Sequence, residues 1–177
     1  MFETDLRLTD GRALHVYDSA PCDDGRLAVV TLGVPTDDLY EAGEWLGIRW
    51  ISCDLTSSTT AADLAAVVDA ACVEGFALMG HAEGGALALR TAALLGDRVE
   101  AVVTFASTLP AEFILTAVDG PVLLCHGLDD VVVPPANSRW LASRLALPTL
   151  DLHPHLDHTT ILTQSEPALE WIRDHTG

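Results

Sequence analysis

Val73-Glu74-Gly75-Phe76-Ala77-Leu78-Met79-Gly80-His81-Ala82-Glu83-Gly84-Gly85-Ala86-Leu87-Ala88-Leu89-Arg90 is the stretch that decides the fold. Phe76 to Met79 form an unbroken apolar run, the pattern of a strand buried on both faces. Gly80, Gly84 and Gly85 bracket a turn too tight for side chains. Ala86 to Leu95 follow with strong helix formers. A short buried strand therefore passes through a glycine-rich turn directly into a helix.

A strand-to-helix turn of the form G-x-S-x-G is a nucleophile elbow, which pushes one side chain into a cleft. Gly80-His81-Ala82-Glu83-Gly84-Gly85 resembles the GHSxGG elbow of the α/β-hydrolase family, with one decisive difference: Ala82 stands where the nucleophilic serine would be. Alanine carries no nucleophilic atom.

Two further segments carry the resemblance. His126-Gly127-Leu128-Asp129-Asp130-Val131-Val132-Val133-Pro134 follows an apolar strand and resembles HGxxDxxVP, the family segment with the triad acid. The matching position is Asp130, with Asp129 as runner-up. An Asp at a strand end can fix a histidine tautomer and stabilise its cation. Pro154-His155-Leu156-Asp157-His158 resembles the P-G-x-G-H segment before the last helix, which makes His158 the triad base and His153 and His155 its competitors. The order elbow, Asp, His is the order of this fold. The resemblance further implies oxyanion-hole N–H groups at Glu83, after the elbow, and at Val34, after Gly33. The usual His-Gly there is Leu32-Gly33. His81 and His126 match structural positions, and Asp54 a structural Asp after its strand.

Outward from the elbow, the chain alternates strands and helices. Leu6, Leu8, Leu14, Val16 and Tyr17 around Asp10-Gly11 read as an opening hairpin. Leu27 to Leu32, Ile48 to Cys53, Val99 to Ala106, Pro121 to His126 and Leu147 to His153 read as strands. Asp37 to Leu46, Ala61 to Val73, Pro110 to Val118, Pro135 to Leu145 and Thr159 to His175 read as helices, the last broken or begun near Pro167. The expected fold class is α/β: a mostly parallel central sheet with helices on both faces and an opening antiparallel hairpin, in one domain over 1–177. In the family a cap often follows the strand matching Val99 to Ala106. Here only Ser107 to Gly120 intervene, so the resemblance implies a capless core with an open cleft, whose mouth has Val34, Leu109, Phe113 and Val132 as candidate lining residues.

Charge narrows the partners. Nine Arg and Lys against 26 Asp and Glu give a net charge of −17. Such a surface repels nucleic acid and anionic membranes. No apolar run reaches the ~18 residues a span needs, and the N-terminus has no basic, then apolar, leader. Cys22, Cys53, Cys72 and Cys125 have neither metal-type spacing nor a disulfide pattern, and a reducing cytoplasm is the expected setting. No cofactor and no metal site is expected. The partner is a small-molecule or acyl substrate. Oligomeric state is not encoded in any visible pattern.

Three functions fit. One is a serine hydrolase or acyltransferase on ester, thioester or amide substrates whose serine has been exchanged for Ala82, as in a variant that traps a ligand. Another is a natural acid/base enzyme, of lyase or isomerase type, that uses His158 and Asp130 without a covalent intermediate. The last is a non-catalytic binding module.

Overall fold

The computed structural model describes residues 1–21, 25–35, 39–109 and 115–176. Eight strands form one sheet: β1 (Phe2–Arg7), β2 (Ala13–Asp18), β3 (Leu27–Leu32), β4 (Ile48–Cys53), β5 (Phe76–His81), β6 (Val99–Phe105), β7 (Val122–Gly127) and β8 (Pro148–His153). Their order is β1-β2-β4-β3-β5-β6-β7-β8. β1 pairs antiparallel with β2, and β2 antiparallel with β4. Every other pairing is parallel. This is the mostly parallel sheet with an opening hairpin that the strand–helix alternation predicts.

Among the described residues five α-helices cover the sheet: α1 (Tyr40–Leu46), α2 (Ala61–Ala70), α3 (Glu83–Leu95), α4 (Ala136–Ala142) and α5 (Ser165–His175). The two-residue period of a strand sends alternate side chains to opposite faces. On β5, Phe76 and Leu78 join one core cluster with Leu64 of α2, Leu89 of α3 and Leu141 of α4. Ala77 and Met79 join the other, with Leu169 and Ile172 of α5. All four β5 side chains are fully buried, which is why that run is apolar without alternation. Burying the central strands on both faces also fixes their register, because a one-residue slip would exchange the two cores.

Several element limits differ from the sequence reading. α2 ends at Ala70, and the chain then reverses through Cys72 at φ 55°. α4 stops at Ala142. Thr160–Gln164 is a 3₁₀ turn, and α5 begins at Ser165 with Pro167 in its first turn, where its missing N–H has no helical partner to lose. Of the helix expected over Pro110 to Val118, Leu115–Ala117 is a 3₁₀ turn, and 110–114, with Phe113, lie outside the described residues. So do Cys22 and Asp37. Among the described residues no helix is long and apolar enough to cross a membrane.

Parallel strands share one C-terminal edge. At that edge β5 runs into α3 at Ala82, with the ends of β3, β6 and β7 beside it. Ligand crevices of open α/β sheets form at this edge.

Candidate active site

Ala82 sits at the junction of β5 and α3 with φ 51° and ψ −114°. That is the first central position of a type II′ turn, which glycine favours and alanine does not. The neighbourhood holds it there. The Ala82 N–H donates to the Phe105 carbonyl at 2.9 Å, and its carbonyl accepts from the Thr108 N–H at 3.1 Å. Close packing explains Gly84: a Cβ on it would overlap the Leu32 carbonyl at the end of β3. α3 therefore starts against β3, and the turn cannot relax outward.

Glu83 is the first residue of α3, so its N–H has no intrahelical acceptor. Among the described residues it makes no other backbone hydrogen bond. The Glu83 carboxylate is exposed. Val34 is buried and follows Gly33, which has φ 72° and lies beside the His81 carbonyl. The residues expected to give the two oxyanion donors thus flank the same turn.

Asp130 is buried in the loop after β7. Its Oδ1 accepts the N–H groups of Val132 and Val133, both at 2.8 Å, closing a local turn around the carboxylate. Its Oδ2 accepts from His158 Nδ1 at 2.8 Å. Burial pushes the Asp130 carboxyl up, but the Val133 N–H, the His158 ring and the Val132 N–H outweigh it and hold the pKa below 3.8. Asp130 is therefore ionised at neutral pH, and its partner is the Nδ1–H tautomer of His158, leaving Nε2 as the basic atom.

His158 rides on a loop that is itself fixed. Asp157 Oδ1 accepts the N–H groups of Thr159 and Thr160 at 2.9 and 2.8 Å, and the Asp157 N–H donates to Thr160 Oγ1 at 2.8 Å. Gly127 admits this loop, since a Cβ there would overlap the Leu156 carbonyl. The link to the elbow is His81, whose Nε2–H donates to the His158 carbonyl at 2.9 Å. The two rings lie 4.7 Å apart at a 45° tilt. Burial lowers the His81 pKa and outweighs the hydrogen bond to the His158 carbonyl, which works the other way, so His81 is neutral at neutral pH. Through His81, the residue before Ala82, the loop carrying His158 is tied to the elbow.

The structure thus brings together Ala82, Glu83, Val34, Asp130 and His158. The competitors lie elsewhere. Asp129 is exposed, 3.9 Å from His155. His155 is 93% exposed. His153 Nε2 lies 2.9 Å from Asp151 Oδ2, without the alignment of a hydrogen bond. Asp54 is exposed and accepts from the Tyr17 hydroxyl at 3.3 Å. Among the described residues no cluster of three or more His, Cys, Asp or Glu could hold a metal ion. Burial pushes the Cys53 thiol up to about 11 and Cys125 higher still.

One supporting residue, Ser138, escaped the sequence reading; it braces the already expected structural His126. His126 is fully buried, with Nδ1 2.7 Å from Ser138 Oγ, Nε2 2.9 Å from the Val133 carbonyl, and Nε2 3.3 Å from Asp130 Oδ2. Nε2 therefore carries the hydrogen and Nδ1 accepts from Ser138. This brace fixes Asp130 from behind. Ser138 gives no sequence signal, because it reaches His126 only once α4 packs.

A cleft of about 490 Å³ opens beside the elbow between α3, the loop after β4 and the segment after β6. Of the expected mouth residues, Leu109 lines it. Val132 is 67% exposed and Val34 is buried. A more apolar cavity of about 590 Å³ lies between the hairpin and α2, away from Ala82 and His158.

No protein-family model matches the chain, and no curated protein matches it by sequence. Solved structures do match. The alpha/beta hydrolase domain-containing protein 10 from mouse aligns over 98% of this chain and 99% of its own, with a TM-score of 0.80 and 16% identity. The esterase domain of a Rhodothermus marinus protein aligns over 99% of both chains (TM-score 0.77, 18% identity). Est1E from Butyrivibrio proteoclasticus aligns over 97% of this chain and 96% of its own (TM-score 0.75, 18% identity). The chain has the α/β-hydrolase fold. Identities this low speak to the fold and to nothing finer.

Proposed function

We propose that the elbow and its surroundings form an acyl site of the serine-hydrolase type, for ester, thioester or amide substrates, with Ala82 at the nucleophile position. In this reading Asp130 and His158 are the acid–base pair, and the N–H groups of Glu83 and Val34 receive the carbonyl oxygen. One observation carries it: Ala82 keeps the φ 51°, ψ −114° backbone of an elbow. Non-glycine residues in such regions cost about 1–3 kcal/mol, and they persist where the surrounding structure over-determines them, commonly at functional sites. Alanine draws no benefit from that geometry, whereas a serine there would present its hydroxyl to the cleft.

With a hydroxyl at position 82, His158 Nε2 would take its proton as the oxygen attacks the substrate carbonyl. The imidazolium, stabilised by Asp130, would return that proton to the leaving group, and water would release the acyl chain by the same relay. With Ala82 no acyl-enzyme can form, and in this reading the cleft binds acyl compounds without turning them over. The 2.8 Å contact between His158 and Asp130 also favours a second reading. There the same pair acts as general base on water or on a carbon acid, with no covalent step.

Turnover of a panel of activated esters and thioesters separates these readings. Ala82→Ser is expected to gain roughly a thousandfold or more, because losing the serine of such a triad costs on the order of 10⁶ in turnover. The gain should vanish in Ala82→Ser/His158→Ala. A folded Ala82→Ser chain with no gain refutes the serine-hydrolase reading. Activity of the unaltered chain that is lost in His158→Ala supports the second.

A further inference from the structure

The cleft beside the elbow has a charged far end. α3 lines it with Glu83, Ala86, Leu87 and Arg90, one face of the helix at i, i+3, i+4 and i+7. The chain has nine basic residues, all arginine. Arg12, Arg26, Arg49 and Arg98 are held by carboxylates, and Arg144 stacks on Trp140. The side chain of Arg90, like those of Arg7, Arg139 and Arg173, forms no hydrogen bond or ion pair with any described residue, and of these four it is the one that lines the cleft reaching Glu83 and Gly84 of the elbow. In a protein of net charge −17, a cation at that place without a carboxylate partner among the described residues stands out.

Distance and polarity give the ligand its shape. Arg90 is eight residues beyond Ala82, about 12 Å along the helix axis, and its side chain leans back towards the N-terminus. The guanidinium can thus approach a short chain that begins at the elbow. Leu55, Ala86, Leu87 and Leu109 provide apolar wall, while Ser57 and Thr59 add hydroxyls on the facing loop. Glu83 makes the elbow end of the cleft negative, so an anionic group placed there would be repelled. A ligand with one carbonyl and one carboxylate fits in a single orientation, its carbonyl at Ala82 and its carboxylate at Arg90.

We infer that Arg90 is a specificity-determining residue, and that the acyl groups received by this cleft are those of short dicarboxylic acids, bound as half-esters or half-thioesters with the free carboxylate on Arg90. This deepens the acyl-site reading and rests on it.

The test has two arms. In the first, the unaltered chain is titrated by NMR with monomethyl succinate, glutarate, adipate and pimelate, and with methyl alkanoates of matching length. One half-ester length is expected to bind about tenfold more tightly than its neutral partner, the size of one partly exposed charge-assisted contact. Arg90→Gln should abolish that ratio. Arg139→Gln, the same charge change on α4, should keep it. Raising the salt should shrink it. In the second arm, Ala82→Ser and Ala82→Ser/Arg90→Gln are compared on 4-nitrophenyl half-esters and neutral esters, with the same ratio expected in kcat/KM.

Equal affinity for charged and neutral ligands, or a ratio that survives Arg90→Gln, overturns the assignment. The two claims fail separately. If Ala82→Ser turns over neutral esters with no charge preference, the hydrolase reading stands and the Arg90 site falls. Arg90-dependent binding by the unaltered chain, with no turnover by Ala82→Ser, has the opposite meaning.

Discussion

Replacing Ala82 by glycine should make the protein more stable, against the usual sense of an alanine-to-glycine change. The methyl group sits on a backbone at φ 51° and ψ −114°. Relieving such a conformation returns about 1–3 kcal/mol. Two effects oppose it. Glycine adds unfolded-state freedom worth about 0.4–1 kcal/mol. The half-buried methyl also forfeits part of the ~0.8 kcal/mol that a buried CH₂ contributes. Mid-range values leave Ala82→Gly ahead by about 1 kcal/mol, or roughly 2–4 °C in Tm for a chain of this size. Urea unfolding followed by tryptophan fluorescence, with the m-value checked for constancy, reads this directly. Ala93→Gly within α3 is the opposite-sign control and should lose about 1 kcal/mol. A Tm for Ala82→Gly that falls by 2 °C or more would mean that Ala82 is not strained, and would remove the observation on which the functional reading leans.

Gly84→Ala should be among the most damaging single changes, because its Cβ would overlap the Leu32 carbonyl and backbone cannot swing aside. A loss of about 3 kcal/mol or more in urea unfolding is expected, and a near-neutral result would mean that α3 does not start against β3. Asp130 gives a pH signature. Its folded pKa lies below 3.8, so the unfolded chain binds the proton more readily. Its stabilising contribution is complete above the unfolded value and is lost as pH falls through the folded one. The stability difference between the unaltered chain and Asp130→Asn should therefore be level above about pH 5 and should narrow below about pH 4. A difference that widens on acidification would contradict the ionised, hydrogen-bonded carboxylate.

Most of the sheet was legible in the sequence because its central strands are buried on both faces. Leu27 to Leu32 and Ile48 to Cys53 are bounded in the structure just as their apolar runs are. The misplaced limits share a cause. α2 ends at Ala70 through a left-handed Cys72, where no glycine, asparagine or proline announces a reversal. The turn before α5 is 3₁₀ rather than α, a distinction hydrophobic spacing does not carry. Around the site, Ala82, Asp130 and His158 could be singled out as candidates because they sit at the ends of strands and before a helix in a recognisable order. Ser138 and Arg90 were not. Their significance depends on which elements pack beside them, and a lone serine or arginine in a helix gives no such signal.

The most direct measurement is the intact mass of the chain after exposure to a fluorophosphonate, a reagent that phosphonylates an activated serine with loss of fluoride. One adduct per chain is expected on Ala82→Ser, mapping to position 82, with none on the unaltered chain and strongly slowed labelling of Ala82→Ser/His158→Ala. A folded Ala82→Ser chain that stays unlabelled, or labels equally fast without His158, would contradict the assignment of this elbow as a nucleophile site.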